Sequence, residues 1–253
     1  MAPSSDKDQR RLYGDLAWTW PIISAPETYV EESERFASLL REHSPREVTT
    51  VLNLGCGAGH NDWTLKRHFR VTGVDLSEDM IALARRRNPE VEYRVGDMRT
   101  LRLDETFEAV VIFDSIDYML TESDLRAAFE TAYHHLAPGG VFVTYQEIIP
   151  ETFKQNHVQH QVTRHREDEI VFIENYYDPD PTDTTIEGVF VYLIRRRGEL
   201  QIETDRHLCG IFLTDTWLRL LEVVGFDVRA VLDEPHDVRT FVCAKPRASR
   251  PRG

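Results

Sequence analysis

Long apolar runs, paired cysteines and an excess of positive charge are all missing from this chain of 253 residues. No stretch approaches the roughly 18 uninterrupted apolar residues of a membrane span, and the polar beginning lacks the apolar segment of a secretory signal. The three cysteines, Cys56, Cys209 and Cys243, lie far apart without a C-x-x-C spacing, which argues against a disulfide framework or a zinc site. We therefore expect a cytoplasmic protein with reduced thiols and no membrane partner.

Charge and histidine spacing argue against two further classes of protein. The formal net charge is -13, from 43 acidic and 30 basic residues, and so acidic a surface repels phosphate backbones. Nucleic acid is therefore not an expected partner. His157 and His160 have no acid or cysteine pair at a fixed spacing, so no metal site is expected. The 41% of apolar residues suffice for the core of one large α/β domain.

The most informative stretch is a β-branched apolar run, residues 49–54, that ends in three alternating glycines. An apolar run, a glycine-rich break and a helical pattern together predict a strand, a tight loop and a helix. Side chains at Gly55, Gly57 or Gly59 would block the close approach of a ligand to the backbone. The loop is therefore predicted to bind a small molecule.

Acidic residues follow the next two predicted strands. Asp75 ends the second strand, twenty residues after Gly55, where adenosine-binding α/β folds place a carboxylate against the ribose hydroxyls. Asp97 follows the third predicted strand, at 91–95. The glycine spacing is G-x-G-x-G rather than the G-x-G-x-x-G of dinucleotide sites, which disfavours NAD.

Strand and helix patterns alternate five times up to residue 145, which predicts a parallel sheet with right-handed connections. Pro138 to Gly140 are expected to end the helix before the fifth strand, at 141–145. Residues 160–212 then show β-type runs without helices, at 170–173, 186–194 and 200–204, and predict an antiparallel layer on the sheet. A helix capped by Thr214 and strands at 226–232 and 240–244 complete the pattern.

We expect one domain, and its parts follow from the same patterns. They are an N-terminal arm or lid (1–25), a cofactor-binding core (26–150), a β-rich insert toward the substrate (151–212), a C-terminal helix with strands (213–246) and a tail (247–253).

Residues 51–60 resemble the first motif of the class I S-adenosylmethionine-dependent methyltransferases, and Asp75 resembles their ribose-binding acid. Where that family usually has an acid, this chain has Asn53. The resemblance implies a Rossmann-like, seven-stranded, mostly parallel sheet with helices on both faces, an antiparallel terminal strand and the inserted β layer. It also implies S-adenosyl-L-methionine as the cofactor. The implied cofactor-binding residues are Tyr29, Gly55, Cys56, Gly57, Gly59, Asp75, Leu76, Asp97, Met98 and Asp114.

Tyr29 lies where the family reaches the carboxylate of the cofactor's methionine end, although a core tyrosine is comparably compatible with the sequence. Backbone carbonyls at Gly55 and Asp114 suit the ammonium of the same end. Asp97 lies where the family places an acid against the adenine amino group.

Residues 114–120, 136–140 and 150–153 are similar to N,N-dimethyltransferases that act on nucleotide-linked amino sugars. In that family, a tyrosine of the N-terminal arm and a histidine just after strand four approach the sugar amine. Tyr13 matches the tyrosine, whereas Tyr118 stands in the place of the histidine. The resemblance implies Tyr13 and Tyr118 as the catalytic residues and an amine of a small molecule as the methyl acceptor.

Two other functions remain open at this point: a small-molecule O-methyltransferase and an adenosine-cofactor-binding oxidoreductase. The two predicted terminal strands favour a methyltransferase over the oxidoreductase. The sequence does not determine the oligomeric state, and a homodimer is compatible with it.

Overall fold

The computed structural model describes residues 8–233 and 238–247, so most of the predicted tail at 247–253 lies outside the described residues. The strands, in chain order, are β1 (Thr50–Leu54), β2 (Arg70–Asp75), β3 (Glu92–Val95), β4 (Phe107–Ile112), β5 (Leu136–Gln146), β6 (His157–His165), β7 (Asp168–Tyr177), β8 (Thr185–Arg196), β9 (Glu199–Gly210), β10 (Asp227–Asp233) and β11 (Arg239–Ala244). The helices are α1 (Trp20–Ile23), α2 (Val30–His43), α3 (His60–Leu65), α4 (Glu78–Arg87), α5 (Glu122–His135) and α6 (Thr214–Val224).

Seven strands form the main sheet in the order β10-β11-β5-β4-β1-β2-β3. Strands β1 to β5 pair in parallel, while β11 is antiparallel to both β5 and β10. The predicted sheet with one antiparallel strand near its end is therefore confirmed. The strand order reverses between β1 and β4, where open α/β sheets form a crevice for ligands.

Helices cover both faces of this sheet, as predicted. On one face, α2 and α4 pack with Val51 and Val111, and on the other, α5 and α6 pack with Leu52 and Val110. Consecutive residues of β1 and β4 are therefore buried on opposite faces. This double burial explains why these strands are continuous apolar runs in the sequence.

The second sheet has four antiparallel strands in the order β6-β7-β8-β9, which confirms the predicted β layer. The prediction missed β6 because almost all of its side chains are exposed, so the strand has no buried apolar alternation. Between the two sheets lies the N-terminal arm, residues 8–25. Leu12 and Ile23 of the arm pack against Phe172 of the second sheet and Met80 of α4.

Two local predictions were wrong. Strand β5 begins at Leu136, before the expected helix end at Pro138, because Leu136 pairs with Phe107 of β4. Thr214 is the first residue of α6 and Leu213 occupies the cap position; the Thr214 hydroxyl instead donates to the side chain of Gln146.

Within the described residues, no helix is both long and apolar enough to cross a membrane, and no cluster of three or more potential metal ligands occurs.

Candidate active site

The carboxyl ends of β1, β2, β3 and β4 border a cavity of about 710 Å³. The cavity lies over the point where the strand order reverses, as expected for an open α/β sheet. Eleven of the twelve residues predicted from the sequence line it: Tyr13, Tyr29, Gly55, Cys56, Gly57, Asp75, Leu76, Asp97, Met98, Asp114 and Tyr118.

The glycine loop after β1 needs its glycines for different reasons. All three have positive φ, at 76° for Gly55, 52° for Gly57 and 71° for Gly59, a conformation that other residues adopt only with strain. A Cβ atom on Gly55 would lie 2.0 Å from the Ser115 hydroxyl oxygen, whereas one on Gly57 would meet nothing within 4 Å. The backbone at Gly57 is therefore open to a ligand.

Gly59 lies outside the lining of this cavity. A Cβ atom there would be 2.6 Å from the Tyr93 hydroxyl and 2.7 Å from the side-chain nitrogen of Asn88. Gly59 therefore allows close packing of the loop against β3 and the end of α4.

The carboxylate of Asp75 is held by the backbone. Its two oxygens accept hydrogen bonds from the N–H groups of Gly57 and Ser77, each at 2.8 Å. Burial raises the pKa of Asp75, and these N–H donors oppose the rise. Beside it, Leu76 leaves 60% of its surface exposed on the cavity wall. The end of β2 therefore presents an oriented acid next to an apolar surface.

Asp97 is paired with Arg99, a lining residue that the sequence analysis missed. The Arg99 guanidinium lies 2.6 Å from the Asp97 carboxylate and 3.2 Å from Asp124 at the start of α5. Hydrogen bonds from Arg99 lower the pKa of Asp97, although burial opposes this shift. The ion pair fixes the orientation of the acid after β3.

Tyr29 also lines this cavity. Its hydroxyl lies 2.7 Å from the Ser24 hydroxyl, and burial raises its pKa. Asp114, two residues after β4, lines the same cavity. Burial raises the pKa of Asp114, and the nearby Asp75 carboxylate adds to this effect.

Asn53, where the resembling family has an acid, is hydrogen-bonded to an acid from the following helix. The Asn53 side-chain amide donates to the Asp62 carboxylate at 2.8 Å, and both residues are fully buried. Burial raises the pKa of Asp62 to about 6. A carboxyl group is therefore present beneath the glycine loop, but α3 provides it rather than β1.

Four side chains form a continuous chain of hydrogen bonds between the arm, the β4 end and β9. The Tyr13 hydroxyl donates to the Tyr118 hydroxyl at 2.9 Å, and the Tyr118 hydroxyl lies 2.6 Å from Nδ1 of His207. Nε2 of His207 donates to Asp205 at 2.7 Å. Both predicted catalytic tyrosines therefore meet, whereas His207 and Asp205 were not predicted from the sequence.

The signal for this pair was weak in the sequence. Asp205 and His207 are two residues apart on one strand, so they share a face. Nothing in the sequence connects that strand to Tyr118, which lies 89 residues earlier.

A second cavity, of about 890 Å³, adjoins the first, and Tyr13, Trp20, Asp114 and Tyr118 line both. It lies between the β4 and β5 ends and the second sheet. Its wall carries carboxylates from three different segments: Asp114, Asp117, Glu147 and Glu174. Burial, reinforced by the nearby Asp114, raises the pKa of Glu147. The arrangement favours a ligand that carries positive charge.

The fold and the first cavity together define the class of this protein: it has the architecture of the class I S-adenosylmethionine-dependent methyltransferases. Residues 51–140 match the family model described as a methyltransferase domain.

Within that class, the chain is similar to amino-sugar N,N-dimethyltransferases. It is 39% identical over 138 residues to the dTDP-3-amino-3,4,6-trideoxy-alpha-D-glucopyranose N,N-dimethyltransferase of Streptomyces venezuelae, covering 54% of this chain and 58% of that enzyme. It is 27% identical over 221 residues to the dTDP-4-amino-2,3,4,6-tetradeoxy-D-glucose N,N-dimethyltransferase of Saccharopolyspora spinosa, covering 85% of each chain. The match to the first of these relatives thus spans little more than half of that enzyme.

Two solved structures extend the similarity over most of the chain. Streptomyces venezuelae DesVI is 28% identical, with a TM-score of 0.80, over 95% of this chain and 99% of that one. The amino pentose methyltransferase CalS10 of Micromonospora echinaspora is 26% identical, with a TM-score of 0.76, over 86% of this chain and 91% of that one.

Proposed function

We propose that this protein transfers a methyl group from S-adenosyl-L-methionine to the amine nitrogen of a nucleotide-linked amino sugar. The observation that carries the proposal is the junction of two cavities at Tyr13, Asp114 and Tyr118, one cavity suited to adenosine and the other lined by carboxylates. The names of the two N,N-dimethyltransferases to which the chain is similar support the same acceptor class.

The residues of the first cavity fit the cofactor. Asp75, oriented by two backbone N–H groups, would accept hydrogen bonds from the ribose hydroxyls, and the exposed face of Leu76 would contact the adenine. Gly57 leaves the space that a Cβ atom would otherwise occupy. When bound, S-adenosyl-L-methionine supplies a methyl group already activated by its positive sulfur, so the protein's main task is alignment.

The second cavity would hold the acceptor. Glu147, Glu174 and Asp117 would attract the ammonium form of the sugar amine by opposite charge. Lys154 and His157 line the same cavity and would contact the phosphates of the nucleotide. Tyr13 and Tyr118, at the junction, would orient the nitrogen toward the first cavity.

A methylation assay tests this proposal. Purified protein, S-adenosyl-L-methionine and a dTDP-linked amino sugar should give a methylated nitrogen, detected by mass spectrometry and NMR. The matched sugar with a hydroxyl in place of the amine should give no product. Methylation of oxygen alone, or of neither sugar, would contradict the proposed acceptor.

The Glu147→Gln variant tests the charge of the acceptor cavity. Losing a charge-assisted hydrogen bond of about 1.5–3 kcal/mol should raise KM for the amine by about tenfold or more. Glu151→Gln is the matched control, because Glu151 is exposed and outside the lining of both cavities. Equal KM values for the two variants would remove Glu147 from the binding site.

A further inference from the structure

The carboxylates of the second cavity attract an ammonium, but they also favour its protonated form. Only the unprotonated amine has the lone pair that attacks a methyl group. The positive sulfur of a bound cofactor would lower the pKa of the amine, while the carboxylates would raise it. A group that accepts the proton near the junction of the cavities would therefore accelerate the reaction, and the hydrogen-bonded series Tyr118, His207 and Asp205 provides such a group.

Asp205 fixes the orientation of His207. Its two oxygens accept the backbone N–H groups of Arg11 and Leu12, at 2.9 and 2.7 Å, in addition to Nε2 of His207. Hydrogen bonds from His207 and these N–H groups lower the pKa of Asp205, although burial opposes them. The carboxylate therefore stays charged, and His207 carries its hydrogen on Nε2.

This tautomer leaves Nδ1 of His207 as an acceptor that faces the Tyr118 hydroxyl at 2.6 Å. His207 is fully buried and lines neither cavity, whereas Tyr118 lines both. The three hydrogen bonds therefore run in one direction: Tyr13 donates to Tyr118, Tyr118 to His207 and His207 to Asp205. A second lone pair of the Tyr118 oxygen remains for a substrate.

We propose that Tyr118 and His207 form a proton relay that deprotonates the acceptor amine, with Asp205 as the residue that orients His207. The N–H bond of the substrate ammonium breaks and its proton passes to the Tyr118 oxygen, while the Tyr118 proton passes to Nδ1 of His207. The amine keeps the electron pair, and the resulting imidazolium faces the Asp205 carboxylate. After the product leaves, the proton returns through Tyr118 to water in the open cavity.

The two transfers must be concerted, because burial raises the pKa of Tyr118 well above its ordinary value and disfavours a free phenolate. The Arg10 guanidinium lies 4.6 Å from the centre of the Tyr118 ring and favours negative charge on the phenol oxygen during the transfer. The titratable and charged groups that face the relay are Arg10, Tyr13, Tyr176, Asp205 and Cys209.

The proposal rests on the proposed amine methylation and is tested by His207→Gln and Tyr118→Phe. Glutamine can still accept a hydrogen bond from Tyr118 but takes up no proton at neutral pH, and phenylalanine interrupts the relay. General-base catalysis contributes about 10²–10⁴-fold, so kcat/KM for the amine at pH 7 should fall by that order in both variants. The loss should shrink as the pH rises, because a growing fraction of the amine is already unprotonated.

His135→Gln is the matched control. His135 is also fully buried and makes two hydrogen bonds, with the backbone of Leu103 and Thr131, but it lies outside both cavities. We expect an unchanged pH profile in this variant, and cofactor affinity within twofold of the wild type in all three variants by titration calorimetry.

Three results would overturn the relay: an unchanged rate in His207→Gln, a loss of the same size at every pH, or ¹⁵N NMR showing hydrogen on Nδ1 of His207 in the substrate-free protein. The NMR measurement needs no turnover, and Tyr118→Phe should shift the Nδ1 resonance. Failure of the wild type to methylate any amine would instead contradict the proposed function. The two ideas can therefore fail separately.

Discussion

At the residue scale, Asp75 has the most direct predicted role in cofactor binding. Asp75→Ala would leave ribose hydroxyls unpaired in a partly buried site, at a cost of about 1–3 kcal/mol. The affinity for S-adenosyl-L-methionine should therefore fall by about fivefold to 150-fold in titration calorimetry. Asp79→Ala is the control, since Asp79 is exposed on the neighbouring helix. Affinity within twofold of wild type in Asp75→Ala would contradict the assignment.

The raised pKa of Asp62 leads to a second prediction at this scale, which concerns the pH dependence of the protein's stability. Its pKa is about 6 in the folded protein and about 3.9 in an unfolded chain, so the folded state binds the proton more tightly. Its contribution to stability is present below pH ~4 and is lost as the pH rises to about 6. A shift of about two pKa units corresponds to about 3 kcal/mol in the free energy of unfolding.

Asp62→Asn should remove this contribution, because asparagine does not ionise. Urea unfolding should show that the stability of the variant falls less than that of the wild type between pH 4 and 6.5. Asp104→Asn, at an exposed position, should leave the wild-type pH dependence intact. Parallel stability curves for Asp62→Asn and the wild type would show that Asp62 ionises normally in the folded protein.

At the scale of one element, two glycines of the loop after β1 have different roles: Gly59 allows close packing, and Gly57 leaves space for a ligand. Gly59→Ala would place its Cβ atom 2.6 Å from the Tyr93 hydroxyl, and Gly57→Ala would meet no atom within 4 Å. Positive φ costs an alanine about 1–2 kcal/mol at either position, and overpacking adds about 1–3 kcal/mol at Gly59 alone. Gly59→Ala should therefore have the lower Tm.

Cofactor affinity should rank these two variants in the opposite order. The added methyl of Gly57→Ala would occupy space on the cavity side, whereas that of Gly59→Ala points at Tyr93 and Asn88. Thermal unfolding and calorimetry on the two purified variants give both rankings. A lower Tm for Gly57→Ala, with tighter cofactor binding than Gly59→Ala, would contradict this division of roles.

At the scale of the whole molecule, the arm joins the two sheets and borders both cavities. Leu12 is 2% exposed within the cluster that the arm shares with the second sheet, and Tyr13 follows it. Leu12→Ala should destabilise this docking by about 2–5 kcal/mol. We expect faster proteolysis within residues 8–25 and a higher KM for the acceptor. Leu213→Ala, at a position that is 53% exposed, should behave as wild type.

Proteolysis of Leu12→Ala at the wild-type rate would show that the arm does not depend on this contact.

The cytoplasmic location, the homodimer and the boundaries of the five parts of the domain stay predictions.

The sequence by itself determined the main sheet and most of the first cavity. In a parallel sheet the carboxyl ends of the strands meet at one edge, so Gly55, Asp75 and Asp97 could be placed together from the ends of three apolar runs. Burial of the central strands on both faces makes those runs strong local signals. Gly59 lies outside the lining of this cavity, and a glycine pattern does not distinguish ligand access from close packing.

Only the tertiary structure showed which residues form the proposed acceptor site. His207, Tyr118 and the carboxylates of the second cavity come from separate elements, and β9 belongs to a different sheet from β4. Hydrophobic periodicity reports which face of a strand is buried, but not which distant side chain that face meets. The contact between His207 and Tyr118 therefore depends on how the second sheet and the arm pack over the core, which no local pattern in the chain specifies.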